Sequence, residues 1–398
     1  MTIWQKKNKI LITCPKGVSP YLKAEIAALG FPVTAETATA IQTQGTLADT
    51  MVLNLHLRTA QRVLYHLETR QAGTPGELYG RINSLPWEDI IHDSGRAGYV
   101  CVTSTVDSSL INDTRFVNMK VKDAIVDRIR DKMGQRPDSG PEKDKSVVHV
   151  YWKNDSVEVY LDTSGERLAR RGYRKIPLQA PMQETLAAAV ILATGWNGEG
   201  AFVNPMCGSG TLAIEAALLA LNRAPGLLRS NYGFMYIKGF PDELWQEMRK
   251  KTRATADKKK PLKIIATDIN RTAVLAARQN AQTAGVDHLI EFNVCSYERT
   301  ALPAGGGVVV LNPPYGERMG DIRKLESLYS GIGDYFKKSG GGYRGCIFTG
   351  NLDLAKKVGL RSQRRIIFYN SEIECRLLTY ELYAGSRKTT TLQTVTCL

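Results

Sequence analysis

A short apolar run followed by two consecutive prolines constrains the second half of this chain most strongly. Residues 307–310 read Gly-Val-Val-Val and are predicted to form a buried strand. Asn312 then lies at the carboxyl end of that strand, where open α/β sheets place their ligands. Pro313 and Pro314 fix two φ angles, remove two N–H donors and keep Asn312 out of the helical region. A stiff turn is therefore expected at a ligand-binding edge.

This turn suits the recognition of a planar amine. The side-chain oxygen of Asn312 and the carbonyl of Pro313 can accept both hydrogens of an exocyclic amino group. Tyr315 can stack on the ring that carries that group. The alternative, which the turn alone leaves open, is a rigid proline turn with no chemical role.

A glycine loop follows an earlier predicted strand at residues 200–203. The loop, residues 204–211, reads Asn-Pro-Met-Cys-Gly-Ser-Gly-Thr and leads into a predicted helix. Its glycines allow close backbone approach, and the helix N-terminus offers unpaired N–H groups that favour an anion. The loop matches neither the GxGxxG nor the GxxxxGK[ST] pattern. Residues 263–268 form the next predicted strand, and Asp268 at its end can accept both hydroxyls of a ribose.

The first half of the chain has a mixed pattern of short elements. A helix is predicted over residues 118–133, and alternation predicts a strand pair at residues 146–152 and 156–163. Residues 47–65 carry apolar residues at helical spacing, and we expect a helix there. This pattern is typical of an α+β region of ferredoxin-like type.

Charge and composition indicate a polyanionic partner. The chain has 398 residues and a net charge of +14, and no apolar stretch approaches the roughly 20 residues of a membrane span. Basic residues concentrate around Tyr173, which could act as a stacking ring beside four arginines suited to phosphate: Arg167, Arg170, Arg171 and Arg174. A solvated basic linker is the alternative. Residues 222–260 add interleaved aromatic and basic residues, ending in Lys258–Lys260, which either contact RNA or pack as a small subdomain.

Three segments carry a resemblance to a known family. Residues 312–315 resemble the amino-methylating motif of class I methyltransferases that use S-adenosylmethionine (SAM). The longer segment 312–318, together with 162–174 and 204–211, resembles the bacterial THUMP-domain RNA guanine-N2 methyltransferases. The resemblance implies an α/β class I, Rossmann-like methyltransferase domain with a mostly parallel seven-stranded sheet, preceded by an α+β ferredoxin-like and THUMP region. It implies four parts: residues 1–50 ferredoxin-like, 51–165 THUMP, 166–182 a basic linker and 183–398 the methyltransferase domain.

The same resemblance implies roles for individual residues. Asn312, Pro313 and Tyr315 would be catalytic, and the four arginines would bind RNA. The cofactor-binding residues would be Asn204, Pro205, Cys207, Gly208, Ser209, Gly210, Thr211, Asp268 and Cys295. Two of these depart from the family pattern, because aspartate is usual at the positions of Asn204 and Cys295. Replacing Arg170, Arg171 and Arg174 is accordingly expected to weaken RNA binding and leave SAM affinity unchanged.

The expected function is transfer of a methyl group from SAM to the N2 amine of a guanosine, most simply in 23S ribosomal RNA. Adenine-N6 methylation of RNA or DNA uses the same motif, and methylation of a protein glutamine does too. A non-catalytic RNA-binding or assembly protein with a vestigial SAM pocket is a further alternative. Scattered cysteines and histidines predict neither disulfides nor a metal site. We expect a cytoplasmic monomer, since the N-terminus lacks a signal-peptide pattern.

Overall fold

The computed structural model describes residues 2–107, 113–176, 178, 181–257, 261–315 and 322–383. Several sequence-based expectations concern residues outside these ranges: the basic run 258–260, the end of the proline motif at 316–319, and a loosely ordered tail from residue 385. No helix in the described ranges is both long and apolar enough to cross a membrane.

The first half of the chain forms one eight-stranded sheet. Its strands, in chain order, are β1 (Lys7–Thr13), β2 (Val33–Glu36), β3 (Ala40–Thr46), β4 (Arg62–Gln71), β5 (Tyr99–Asp107), β6 (Asp138–Ser139), β7 (Ser146–Lys153) and β8 (Ser156–Asp162). Their spatial order is β2-β3-β1-β4-β8-β7-β5-β6. Strand β4 pairs with β1 on one side and β8 on the other, so it joins the ferredoxin-like part to the THUMP-like part.

Four helices pack on this sheet: α1 (Ser19–Ala28), α2 (Asp49–His56), α3 (Pro75–Asn83) and α4 (Thr114–Met133). The predicted strand pair is confirmed by β7 and β8, and the predicted helix over 118–133 by α4. The predicted helix over 47–65 is wrong beyond His56, because β4 begins at Arg62. The apolar spacing there suits a helix, but pairing with two neighbouring strands outweighs local propensity.

The second half forms a seven-stranded sheet, as predicted. The strands are β9 (Ala201–Pro205), β10 (Ile264–Asp268), β11 (Ile290–Val294), β12 (Gly307–Leu311), β13 (Tyr343–Thr349), β14 (Arg364–Asn370) and β15 (Ile373–Glu381). In the order β11-β10-β9-β12-β13-β15-β14 the first five are parallel, and the terminal hairpin is antiparallel. This is the Rossmann-like methyltransferase architecture. The strand order reverses between β9 and β12, which is the point at which such sheets bind ligands.

The helices of this half are α5 (Glu184–Thr194), α6 (Thr211–Ala220), α7 (Asp242–Ala254), α8 (Arg271–Ala284), α9 (Ile322–Ser339) and α10 (Leu352–Lys357). Helix α5 is buried almost all round, because it packs against both α6 and α1 of the N-terminal half. One continuous apolar core accordingly runs from Trp4 to Leu377.

The described part of the insertion, residues 222–257, packs between the two halves. Tyr232, Phe234 and Trp245 are almost fully buried and contact one another, with ring centroids 5.0–5.5 Å apart. The side chain of Arg229 donates to the carbonyls of Ser164, Glu166 and Arg167, and so ties the insertion to the linker. The sequence left open whether this segment contacts RNA or packs as a small subdomain, and these three aromatic residues are packed.

Candidate functional site

The site lies at the carboxyl ends of β9, β10 and β12, and a glycine loop forms its floor. Met206, Gly208 and Gly210 all have positive φ, at 58°, 54° and 83°. A Cβ on Gly210 would lie 2.9 Å from the Cβ of Ala277 on α8, so only glycine fits there. The loop therefore brings the start of α6 close to α8. A left-handed methionine is unusual, and such strain concentrates at functional sites.

The N-terminus of α6 is open to an anion. No side chain caps this helix, because the residue before it is Gly210. Asn280 on α8 donates from Nδ2 to the carbonyl of Ser209, which fixes the loop from below. Unpaired N–H groups at a fixed helix start are suited to a carboxylate. These observations fit the carboxylate of a methionine-like cofactor.

Asp268 connects two of the three strand ends. One of its carboxylate oxygens accepts from the backbone N–H of Gly208 at 3.0 Å, and the other from that of Asn270 at 2.9 Å. A carboxylate has about four lone-pair positions, so acceptor capacity remains for hydroxyl groups. The backbone N–H of Cys295 donates to the carbonyl of Asp268, so the predicted ribose-binding and adenine-binding positions are neighbours.

Asn204 at the end of β9 has one free hydrogen-bonding atom. The residue is fully buried, and its Nδ2 donates to the carbonyl of Val310 on β12 at 2.8 Å. Its Oδ1 is buried and has no partner in the described part of the chain. An ionised aspartate could not donate to Val310, so the departure from the family pattern has a local structural role. Oδ1 can still accept a hydrogen bond from a bound ammonium group.

Asn312 presents a second buried acceptor without a partner. Its Oδ1 is inaccessible to solvent and unbonded within the described residues. Leaving such an atom unpaired costs about 1–3 kcal/mol, which a ligand's donor would recover. No hydrogen bond in the described ranges engages the neighbouring Pro313 carbonyl either. Both predicted acceptors of the amine thus lack a hydrogen-bond partner among the residues that the structure describes.

Tyr329 on α9 supports the proline turn, and sequence analysis did not single it out. It is fully buried, and its hydroxyl lies 3.4 Å from the carbonyl of Pro314 and 2.7 Å from Oγ1 of Thr349. The prolines cannot donate to neighbouring strands, so a side chain from outside the motif holds the turn. No pattern in the sequence links residue 329 to residue 314.

Tyr315 is held in place by the terminal hairpin. Its hydroxyl accepts from Nδ2 of Asn370 at 3.1 Å and lies 3.7 Å from Sγ of Cys375. Its ring packs at Gly350, where a Cβ would approach to 2.9 Å. Burial raises the pKa of Tyr315 to about 12, so the phenol stays protonated. Its predicted stacking on a base remains a prediction.

The arginine cluster divides into two groups. Arg167 and Arg170 are exposed, and Arg170 forms a surface pair with Glu166. Their predicted RNA contacts remain predictions. Arg171 is only 2% exposed and lies 2.8 Å from the carboxylate of Glu215, so its prediction as a phosphate contact is wrong.

The residues beside Arg171 are also turned inward. Tyr173 is buried and donates to Glu215, which rules out the stacking ring expected there. Arg174 donates to Oγ1 of Thr211 at 3.0 Å and lies 3.3 Å from Glu184, which corrects its assignment to RNA as well. Burial of both ion pairs explains the error, since local sequence does not show which arginines face the core.

Metal ligation has no visible basis in this site. Across the described ranges, histidine, cysteine, aspartate and glutamate do not gather in any group of three or more that could hold a metal ion.

Comparisons with known proteins agree with this architecture. Three family models match: an RMKL-like methyltransferase domain over residues 171–379, an RlmL ferredoxin-like domain over 9–64 and a THUMP domain over 74–162. The chain is 39% identical over 385 residues to the ribosomal RNA large subunit methyltransferase K/L of Syntrophotalea carbinolica, covering 94% of this chain and 53% of that protein. The chain spans about half the length of the curated relatives it matches.

Two solved structures superpose closely on the whole chain. SMU.472, solved in complex with S-adenosylhomocysteine (SAH), has a TM-score of 0.84 and 27% identity, covering 96% of this chain and 100% of that one. A Listeria monocytogenes protein named as a predicted N6-adenine-specific DNA methylase has a TM-score of 0.84 and 30% identity, covering 96% and 97%. The similarity therefore extends over both sheets and over the insertion between them.

Proposed function

The chain belongs to the family of RMKL-like methyltransferases, and we propose that it transfers a methyl group from SAM to the N2 amine of a guanosine in large-subunit ribosomal RNA. One observation carries the proposal: at the carboxyl end of β12, Asn312 holds a buried acceptor that has no partner among the described residues, and the neighbouring glycine loop leads into a helix with no side-chain cap. The names of the relatives support ribosomal RNA as the substrate, and the match to a THUMP domain supports RNA binding. We propose a cytoplasmic location for such an enzyme. We also propose the domain boundaries predicted from the sequence, after residues 50, 165 and 182.

The cofactor's polar groups have matching partners in this site. The N–H groups at the start of α6 would hold its carboxylate, and Oδ1 of Asn204 its ammonium. Asp268 would accept its ribose hydroxyls, and Cys295 lies beside the expected adenine position. When bound, SAM supplies an electrophilic methyl group.

The chain's own residues supply positioning and charge stabilisation. The amine of guanine is a poor nucleophile because its lone pair is delocalised into the ring. Hydrogen bonds from that amine to Oδ1 of Asn312 and to the Pro313 carbonyl would favour a pyramidal nitrogen. They would also stabilise the positive charge that develops on it. Tyr329 keeps the turn rigid, which lowers the entropic cost of reaching the reactive geometry. A paired base would have to leave the helix to reach these groups.

Adenine-N6 transfer is the second candidate. The same two acceptors would hold the N6 amine, and the Listeria monocytogenes protein bears a name of that kind. The residues that the structure describes have no feature that favours adenine over guanine, and the curated relatives' names support ribosomal RNA as the substrate. Guanosine is the first choice because the segments 162–174, 204–211 and 312–318 resemble the guanine-N2 methyltransferases.

The test is nucleoside analysis of the reaction product. Unmodified 23S rRNA transcript is incubated with the protein and SAM carrying a labelled methyl group, then digested to nucleosides and analysed by mass spectrometry. We expect label in N2-methylguanosine. Label in N6-methyladenosine would favour the second candidate. No transfer to RNA, with SAM bound, would favour a non-catalytic RNA-binding protein.

A further inference from the structure

A polar groove lies where the N-terminal half meets the terminal hairpin. It is a cavity of about 350 Å³ beside the proline turn. Its lining comes from five separate parts of the chain: Pro15, Lys16, Gln61, Arg167, Gln183, Leu186, Tyr369, Asn370, Ser371 and Glu372. Asn370 connects it to the site, because its Nδ2 donates to the hydroxyl of Tyr315.

Two exposed cations stand in this groove. Lys16 comes from the turn after β1, and its ammonium lies 4.5 Å from the centroid of the Tyr369 ring. Arg167 comes from the linker, and neither cation forms an ion pair among the residues that the structure describes. Arg170, three residues after Arg167, instead forms an ion pair with Glu166. Glu372 is the one acidic residue in the lining.

The groove is rigidly built. Gly17 has a φ of +86°, and a Cβ there would lie 2.5 Å from the carbonyl of Ile367 on β14. Tyr21 on α1 stacks on Phe368, with ring centroids 5.8 Å apart. These contacts fix the turn that carries Lys16 against the edge strand of the methyltransferase sheet. The lysine is thus positioned by packing and by the aromatic ring beside it.

We propose that this groove binds the phosphodiester backbone of the RNA strand next to the target nucleotide, through Lys16 and Arg167. This inference rests on the proposed function for its choice of polyanion. Two cations converge on a concave polar surface, with the amides of Gln61 and Gln183 as further hydrogen-bond donors. The groove joins the RNA-binding half to the catalytic turn, so a strand lying in it leads its next base toward Asn312.

The hydrogen bond between Asn370 and Tyr315 gives the groove a second role. A strand in the groove contacts the hairpin turn at residues 369–372, which carries the donor that holds the Tyr315 hydroxyl. Filling the groove and positioning the Tyr315 ring are therefore linked through one side chain.

The test compares two variants of the full chain, in each of which two positively charged side chains are replaced by glutamine. The double variant Lys16→Gln/Arg167→Gln is measured beside Lys23→Gln/Lys251→Gln, which removes two exposed cations outside the groove. Methyl transfer to 23S rRNA transcript gives KM and kcat for RNA, and a labelled single-stranded RNA 12-mer gives binding at several salt concentrations. SAM affinity and thermal unfolding check that each variant is folded.

We expect the groove variant to raise KM for RNA about a hundredfold, because it removes two charged contacts and each is worth about tenfold. Its slope of log affinity against log salt should fall by about 1.4, for two contacts to a single strand. SAM affinity should be unchanged. Glu372→Gln removes the repelling charge and should lower KM, and Lys16→Arg should retain wild-type binding.

Equal KM and equal salt slopes for the groove and control variants would overturn the proposal. A higher KM with Glu372→Gln would contradict it as well, since removing an anion should help a polyanion to bind. Failure of the proposed function is distinguishable: the wild type would then methylate no RNA. The 12-mer's salt slope would still decide whether the groove binds RNA.

Discussion

Arg174 links the segment that leaves the THUMP domain to the cofactor loop, and its replacement should change SAM binding. Its guanidinium donates to Oγ1 of Thr211, at the start of α6, and to the carbonyl of Met182. It also lies 3.3 Å from the carboxylate of Glu184. Burial raises the pKa of that carboxyl, and the arginine opposes the shift. One side chain thus supports both the fold and the loop.

We expect Arg174→Ala to lower the free energy of unfolding by about 3–5 kcal/mol, because it leaves a buried carboxylate without its cation. Losing the hydrogen bond to Thr211 should weaken SAM binding by about 0.5–1.5 kcal/mol, which raises Kd about two- to thirteenfold. Denaturant unfolding and calorimetric titration measure the two effects separately. The matched control is Arg170→Ala, whose pair with Glu166 is exposed and worth about 0.2–1 kcal/mol.

The double variant Arg174→Ala/Glu184→Gln separates stability from cofactor binding. Removing the carboxylate's charge should restore much of the lost stability, while SAM binding stays weakened because the Thr211 bond is still absent. Unchanged SAM affinity in the folded single variant would refute the link to the loop. That result would instead agree with the sequence-based prediction that replacing Arg174 leaves SAM affinity unchanged.

Three further predictions concern two residues of the candidate site and one buried histidine on β7. Asp268→Ala should weaken SAM by about 1.5–3 kcal/mol in calorimetry, since it removes a charged acceptor and the Gly208 contact; unchanged affinity would place the ribose elsewhere. Tyr329→Phe should raise the activation free energy of methyl transfer by about 0.5–1.5 kcal/mol and leave SAM affinity unchanged, because the turn loses the hydrogen bond to Pro314. An unaltered single-turnover rate would contradict this role. Burial lowers the pKa of His149 from 6.5 to about 4, so the stability that its neutral form contributes is complete above pH 6.5 and is lost as pH falls toward 4. His149→Gln should therefore remove as much as about 3 kcal/mol from the pH dependence of the free energy of unfolding, measured in urea. Identical pH profiles for the variant and the wild type would refute this.

Local sequence was sufficient where a residue's role depends on its own backbone. The strand before Asn312, the proline turn and the glycine loop follow from residue types that restrict or extend φ, and the structure has all three. Alternation of strands and helices favours a parallel sheet, and the resemblance of three segments to a known family implied seven strands; the spatial order of those strands was not predicted.

Local sequence was insufficient where long-range packing decides a residue's role. Arg167 and Arg171 are four residues apart and chemically identical, yet one is exposed and the other is buried against Glu215, 44 positions away. Tyr329 supports Pro314 from a helix that follows the turn, and Lys16 meets Tyr369 from the opposite end of the chain. These relationships exist only in the folded molecule.

The central claim is that Asn312 acts on the amine and not on the cofactor. The most direct measurement is the single-turnover rate of methyl transfer by Asn312→Ala at saturating SAM and RNA, with SAM affinity determined in parallel. We predict a loss of about 2.7–4 kcal/mol of transition-state stabilisation, or 10²- to 10³-fold in rate, by analogy with the removal of one oxyanion donor. SAM affinity should stay within about twofold, since it rests on other groups. A near wild-type rate, or a loss explained wholly by weaker SAM binding, would contradict the account.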